Sequence, residues 1–586
     1  MPVAAMPVAA MGSLPPALIF FVGALIVAVT RGNVRRVVLL AIPVIGGLNL
    51  MGLQEGAIEF EMLGYTLVPF ELGPAGSEDA KLAMMFGYLF HLAAFLGNLF
   101  ALHLEKKDGA GVQHTSAVLY AGAAIGAVYT GDLISLFVFW ELLALTSVFL
   151  IWARKTERSL RAGFRYLVIH VLSGVLLLSG TLMLAYETGS IEFGPISLDG
   201  SMAGWVILVA FGIKAAFPLL HTWITDAYPE GTPTGTVFLS AFTTKVAVFA
   251  LVRTFAGEEV LIYVGVTMTC FPIFYAVIEN DLRRVLSYSM INQIGFMVTG
   301  VGLGTALALN GAVAHAFADV IFKGLLFMTM GSVLQMTGRI NGSDLGGLYK
   351  TMPITATFCV IGAMAISAFP LFSAFITKSM VMAAALETGH VWVWPFLLFA
   401  SAGVLEHAGI KIPYFSFFGH DSGIRAKEPP KNMLWAMGIG ALLCVVIGSF
   451  PSLLYRLLPY DAEYHPYDVT HVVTQLQLLF FGALAVVWLM KRRIYPPEIR
   501  ALNIDAEWTY RWLGPRLIRG IGGTVARVDS AVRSRVLGVV RGTLRGVRWS
   551  HGPQGILART RPTGSMILWV AVLLAAFLVF YFLTGN

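Results

Sequence analysis

The chain has 586 residues, 57% of them hydrophobic and 12% charged, with a mean hydropathy of +0.76 and a formal net charge of +7. A soluble chain carries about 25% charged residues, so the deficit excludes a soluble domain with an added anchor and implies an all-α, polytopic membrane protein. Cys270, Cys359 and Cys444 stand isolated in apolar segments, and no GxGxxG or GxxxxGK[ST] occupies a strand-to-helix junction. Iron–sulfur, zinc, dithiol and ATP-driven chemistry are therefore unsupported, and no cofactor or metal is expected.

Met1 to Pro16 carry no basic segment ahead of the first apolar run, so that run is expected to be kept as a helix rather than cleaved. A span needs about 20 apolar residues. Such stretches fall near 14–31, 37–52, 82–104, 114–130, 132–153, 163–185, 203–225, 233–254, 259–279 and 285–304. They continue near 309–334, 354–387, 391–413, 435–455, 470–490 and 565–584, about sixteen in all. The 354–387 stretch is too long for one ordinary span and contains Pro370, which predicts a broken helix.

Basic residues mark alternate loops: Arg31, Arg35 and Arg36, then Lys106 and Lys107, then Arg154 to Arg165, then Arg283 and Arg284. The opposite loops are acidic or neutral, with Glu55, Glu59, Glu61, Glu71, Glu78 and Asp79, then Glu187, Glu192 and Asp199. This pattern places the N-terminus outside.

Charged residues inside the spans point to function. A charge near the bilayer centre costs at least about 2.5–3.5 kcal/mol, so several are kept only where they pair, face water or move charge. Glu141 is the one acid in the middle of its span and is expected to pair with a lysine from another helix. Lys214 precedes Pro218 by four residues, so the proline removes the backbone bond to Lys214 and breaks the helix, with His221 just beyond. Broken helices at mid-membrane are typical ion sites. Lys245 follows in the next span.

His315, Asp319 and Lys323 recur every four residues, so they share a helix face and could pass a proton along. A plain i,i+4 ion pair between Asp319 and Lys323 is the simpler alternative. Lys378 stands eight residues past Pro370. Lys411 lies near a helix end with Glu406 and His407 beside it as relay neighbours; snorkelling to the surface is its alternative.

A broken span with a lysine followed by a span with a lysine thus occurs twice, once running inward and once outward. That is a transporter architecture of inverted halves. The expected division is 1–110 (N-terminal helices), 111–256 and 257–418 (two half-channels), 419–490 (additional helices) and 491–586 (a basic tail). From Lys491 to Arg561 the tail has a net charge of about +11, so the rest of the chain is about −4. Val525, Val528, Val532, Val536, Val540 and Leu544 recur at helical spacing opposite arginines, which reads as an amphipathic helix on the membrane or a partner. Nucleic acid is a poor partner for a basic run that lies between two spans and lacks interleaved aromatic residues.

The segments Phe139-Trp140-Glu141-Leu142, Lys214 to Trp223, Asp281 to Ser289 with Gln293-Ile294-Gly295, and Phe322 to Phe327 resemble the antiporter-like membrane subunits. That family covers Mrp-type cation/proton antiporters, the membrane arm of respiratory complex I and related hydrogenases. The resemblance spans about residues 80–420. It implies a proton channel of two inverted five-helix halves, in which Glu141 tunes Lys214, Lys245 and the His315 region connect the halves, and Lys378 serves the outer half-channel. In this family the place of Asp319 often holds a second histidine, and this departure weakens a purely histidine-based relay.

Leu405 to Phe415 looks most like the long bacterial D-type subunits of Mrp antiporters. The basic helix and last span look like the tail of the large complex I subunit. The implied function is a proton-translocating subunit of a multisubunit Na+/H+ antiporter in the bacterial inner membrane, with other membrane subunits and lipid as partners. A membrane-arm subunit of complex I is the runner-up. A redox enzyme binding quinone or haem is disfavoured by the lack of cysteine ligands and of histidines paired at haem spacing.

Overall fold

The computed structural model describes residues 14–62, 64–106, 109–501, 503–559 and 562–585. The expectation for the segment before residue 14, and the basic positions Lys107 and Arg561, lie outside the described residues. Two units pack separately, residues up to Asn503 and Ile504–Asn586.

The first unit opens with α1 (Pro16–Val29) and α2 (Gly32–Met51), then a hairpin of β1 (Gly56–Met62) and β2 (Tyr65–Leu72), then α3 (Glu78–Ala101). Next come α4 (Ala110–Val128), α5 (Leu133–Trp152), α6 (Glu157–Thr188), α7 (Met202–Ala215), α8 (Thr222–Ala227), α9 (Gly235–Ala241) and α10 (Thr243–Thr254). They are followed by α11 (Val260–Ile278), α12 (Leu282–Leu303), α13 (Ala306–Thr337), α14 (Pro353–Ile366), α15 (Ser373–Glu387), α16 (Val393–Val404) and α17 (Lys411–Pro413). α18 (Lys431–Ser449), α19 (Ser452–Tyr455) and α20 (Val469–Lys491) complete the unit. The second unit holds α21 (Gly514–His551) and α22 (Thr563–Thr584).

Every expected span is helical, and 11 helices among the described residues are long and apolar enough to cross a membrane. The hairpin is an addition to the helical fold. Its alternation of Ile58, Phe60 and Met62 with Glu59 and Glu61 has the period of two that a strand requires.

The helices repeat. α4 and α11 each have 19 residues, α6 and α13 each have 32, and α7 and α14 each have 14. The connections repeat as well. Asp132 caps α5 through Ile134 and Ser135, as Asp281 caps α12 through Arg283 and Arg284. Asp132 bridges to Glu192, and Asp281 bridges to Asn341, each after the long helix that follows. A unit of five spans is odd in number, so its second copy enters the membrane from the opposite side.

The copies match most closely where the helix breaks. Ala216-Phe217-Pro218-Leu219 separates α7 from α8, and Ala368-Phe369-Pro370-Leu371 separates α14 from α15. Ala216 and Leu219 take φ of 63° and 69°, and Ala368 and Leu371 take 57° and 73°. The phenylalanine N–H reaches back to Gly212 in one copy and to Met364 in the other, at 2.9 and 3.1 Å. Each proline, lacking an N–H, frees the carbonyl four residues earlier, that of Lys214 or of Ile366.

α9–α10 and α13 are almost wholly buried, so these helices form the centre, away from lipid. Arg283, fully buried, joins the copies at the basic face by donating to the carbonyls of Pro229, Gly231 and Thr232 at 3.0–3.2 Å.

Candidate functional site

Three groups of polar side chains lie within this scaffold. In the first copy, Lys214 is fully buried at the end of α7. Its ammonium donates to the Trp140 carbonyl and lies 4.4 Å from the Trp140 ring centroid. Trp140 is itself fixed, its indole donating to Ser173 at 2.9 Å, which in turn donates to the Ala210 carbonyl.

Glu141, next in sequence, is half-buried, and its Oε1 has no hydrogen-bond partner. It lies against α6 where Gly174 leaves space, since a Cβ there would collide with the carboxylate. Lys214 and Glu141 are within electrostatic reach, but no ion pair joins them. The lysine's contact runs to a carbonyl instead of the expected carboxylate. His221, before α8, packs on Phe271 with ring centroids 4.7 Å apart.

The second group is at the centre. Lys245 donates to Asp319 at 2.5 Å, with both side chains wholly buried, and to the Ser240 carbonyl at 3.3 Å. Asp319 therefore serves a helix 74 residues away rather than forming an i,i+4 pair with Lys323. Lys323 donates to Ser289 at 2.9 Å, and His315 meets Thr377 at 2.9 Å. Lys378 donates at 2.8 Å to the Ile366 carbonyl, the one that Pro370 frees. Its ammonium lies 5.2 Å from the Phe296 ring centroid. The His315 ring is within electrostatic reach of Lys245, Lys323 and Lys378. A cavity of about 180 Å³ adjoins Lys378, lined also by Ser379, Tyr464, His471 and Gln475.

The third group adjoins the basic loops. Lys411 is fully buried and donates to the carbonyls of Ala276, Val277 and Glu279. It does not snorkel. Glu498 lies 2.8 Å from its ammonium, and Glu406 accepts from the Tyr495 hydroxyl at 2.6 Å. His407 is buried within electrostatic reach of Lys323, Lys378 and Lys411, and neither ring nitrogen meets another side chain.

Sequence reasoning passed over His170 and Glu498. His170 is fully buried between Tyr166 and Trp223, with ring centroids 4.1 and 4.4 Å away. Superposing the two 32-residue helices would have marked it, because His170 then falls at the place of Asp319. Glu498 lies in a loop, where no periodicity could flag it.

Chemically, the buried ammoniums are held mostly by carbonyls and hydroxyls, which accept but cannot supply a compensating charge. Such lysines can change protonation state, whereas a guanidinium would stay charged.

Residues 130–403 match the family described as NADH:quinone oxidoreductase/Mrp antiporter, transmembrane region. The resemblance to antiporter-like membrane subunits read from the motifs therefore holds. The chain is 30% identical over 397 residues to a probable K(+)/H(+) antiporter component, the A/B type, of Rhizobium meliloti (strain 1021), covering 63% of this chain and 40% of that protein. It thus spans less than half the length of that relative. It is 25% identical over 435 residues to the D component of the Na(+)/H(+) antiporter of Bacillus subtilis (strain 168), covering 69% of this chain and 86% of that one. One polypeptide in the structure of the Mrp complex from Dietzia sp. DQ12-45-1b shares the fold, with a TM-score of 0.63, 21% identity, and coverage of 76% and 92%.

Proposed function

We propose that this chain is the proton-translocating, D-like component of a multisubunit monovalent cation/proton antiporter in a bacterial inner membrane, with Na+ as the exchanged cation and other membrane subunits as partners. One observation carries the proposal: two broken helices with matching backbone breaks each hold a buried lysine at the break, and a buried Lys245–Asp319 pair joins the two halves.

Protons enter the second half by the cavity beside Lys378. Lys323, His315 and Lys245 link that lysine to the first half, and Glu141 biases Lys214 through space. The relatives support this reading, since one that is matched over 86% of its length is named as the D component of a Na+/H+ antiporter. A membrane-arm subunit of a respiratory complex is the second reading, favoured by the 38-residue basic helix α21 followed by the last span α22.

The test is the pH change driven by a Na+ gradient in vesicles holding the complete complex. Glu141→Ala is expected to lower it by roughly 10²-fold or more, the range for removing a positioned proton-transfer group, while assembly persists. Normal transport by a fully assembled Glu141→Ala complex rules out the role given to Glu141.

A further inference from the structure

The segment that follows α20 crosses the basic face and is fixed there at four points. The Tyr495 hydroxyl donates to Glu406 at 2.6 Å, Arg500 to Asp344 at 2.7 Å and Asn503 to Glu279 at 3.1 Å. The fourth contact is Glu498 on Lys411 at 2.8 Å. On either side of Glu498 the chain is at the surface, with Ile499 56% exposed, whereas the Glu498 side chain is 6% exposed. A surface loop thus turns one carboxylate inward onto a buried ammonium.

The geometry of that contact is unlike a closed ion pair. Lys411 directs its N–H groups at three carbonyls where α11 stops: Ala276 at 3.2 Å, Val277 at 2.6 Å and Glu279 at 2.7 Å. Glu498 supplies the counter-charge, yet neither of its oxygens accepts a well-directed hydrogen bond. A buried carboxylate with open lone pairs is costly, so its presence here calls for an explanation. Burial holds the Glu498 carboxyl above the usual range, with Lys411 opposing and Glu279 adding to the shift. Glu406, Tyr495 and Arg284, the last 3.9 Å from Glu279, complete its charged and titratable surroundings.

We infer that Glu498 is the terminal proton-exchanging group of the second half, passing protons between Lys411 and water at the basic face. The inference rests on the proposed function. In the inward direction the Lys411 ammonium gives one proton to Glu498, leaving a neutral amine and a carboxylic acid. The acid releases that proton to water and returns to carboxylate. The amine regains a proton from the side of His407, which is within electrostatic reach of Lys411 and of the central lysines Lys323 and Lys378. Outward transfer reverses these steps.

The competing role is a clasp, in which Glu498 only balances the charge of Lys411 and fastens the segment. Two variants separate the roles in vesicles holding the complete complex, read by gradient-driven pH change per assembled complex. Glu498→Gln is expected to reduce the flux by roughly 10²-fold, and Glu498→Asp to retain a measurable part of it.

Glu498→Gln/Lys411→Met removes both charges, so it leaves no unpaired buried ion and is expected to assemble even if the single variant does not. Its flux stays as low as that of Glu498→Gln if the pair carries protons. Wild-type flux in Glu498→Gln, or flux restored in the double variant, overturns the inference in favour of a clasp. Lys214→Ala, run alongside, tests the proposed function separately: normal transport there defeats that reading, whereas its loss together with normal Glu498→Gln flux defeats only the role of Glu498.

Discussion

At the first break the lysine precedes the proline by four residues; at the second it follows by eight. The backbones are nonetheless the same, down to the alanine and leucine with positive φ. Aligning the prolines places Ile366 where Lys214 stands, and Lys378 where Asp226 stands. Lys378 reaches the freed Ile366 carbonyl, whereas Lys214 reaches out to Trp140 on another helix. Asp226 is held by Arg165 at 2.6 Å near the basic face. The repeat therefore copies a supply of unpaired carbonyls and leaves the placement of charge to vary. The hydrogen bond of Lys378 stays within its own broken helix, whereas that of Lys214 depends on the packing between helices.

The largest expected effect lies between the breaks. Asp319→Ala leaves Lys245 buried without its counter-charge, at a cost of about 3–5 kcal/mol. Thermal unfolding of the purified complex should show the loss, and Asp319→Ala/Lys245→Met should recover most of it. Unchanged stability in Asp319→Ala would mean that the pair does not hold the halves together.

A smaller effect tests whether the breaks are equivalent. Leu219 and Leu371 are 78% and 57% exposed and left-handed, so their side chains contribute little packing. Valine at either place is expected to be less stable than glycine by about 1–2 kcal/mol, the cost of that conformation for a branched residue. Clearly different penalties at 219 and 371 would break the comparison.

The smallest effect is at the segment that follows α20. Burial acts to raise the Asp344 carboxyl, but hydrogen bonds from Arg500, Asn341 and Ser343 outweigh it and hold the group below its usual range. A depressed carboxyl stabilises the fold above its unfolded pKa of about 3.9, and that stability is lost as pH falls through the lower folded value. Arg500 is 69% exposed, so the contribution is under about 1 kcal/mol. Asp344→Asn should flatten that acid-side portion of the stability curve. If the curve keeps its wild-type slope below pH 4, the contact contributes nothing.

The spans were legible because burial in lipid demands long apolar runs, and Pro370 gave away the second break by its chemistry alone. The hairpin was missed: residues 58–62 alternate, but Glu59 and Glu61 read as loop charges. The repeated Ala-Phe-Pro-Leu was in plain view and is the clearest sign of the duplicated fold. What could not be read were the partners of the buried charges. Asp319 has Lys323 one helical turn away and pairs instead with Lys245 of α10, while Lys323 donates to Ser289 of α12. Lys411 is separated from Glu498 by 87 residues and the helices α18 to α20, and nothing local joins them.

The most direct test of the account is arginine at the two breaks. Lys214→Arg and Lys378→Arg preserve the charge but cannot release a proton. Gradient-driven pH change in vesicles, normalised to assembled complex, is expected to be lost in each, and the double variant should be no worse than the poorer single one, since groups on one path act as a unit. Full activity in Lys214→Arg and Lys378→Arg would show that these charges only hold the fold, and would contradict proton passage through the broken helices.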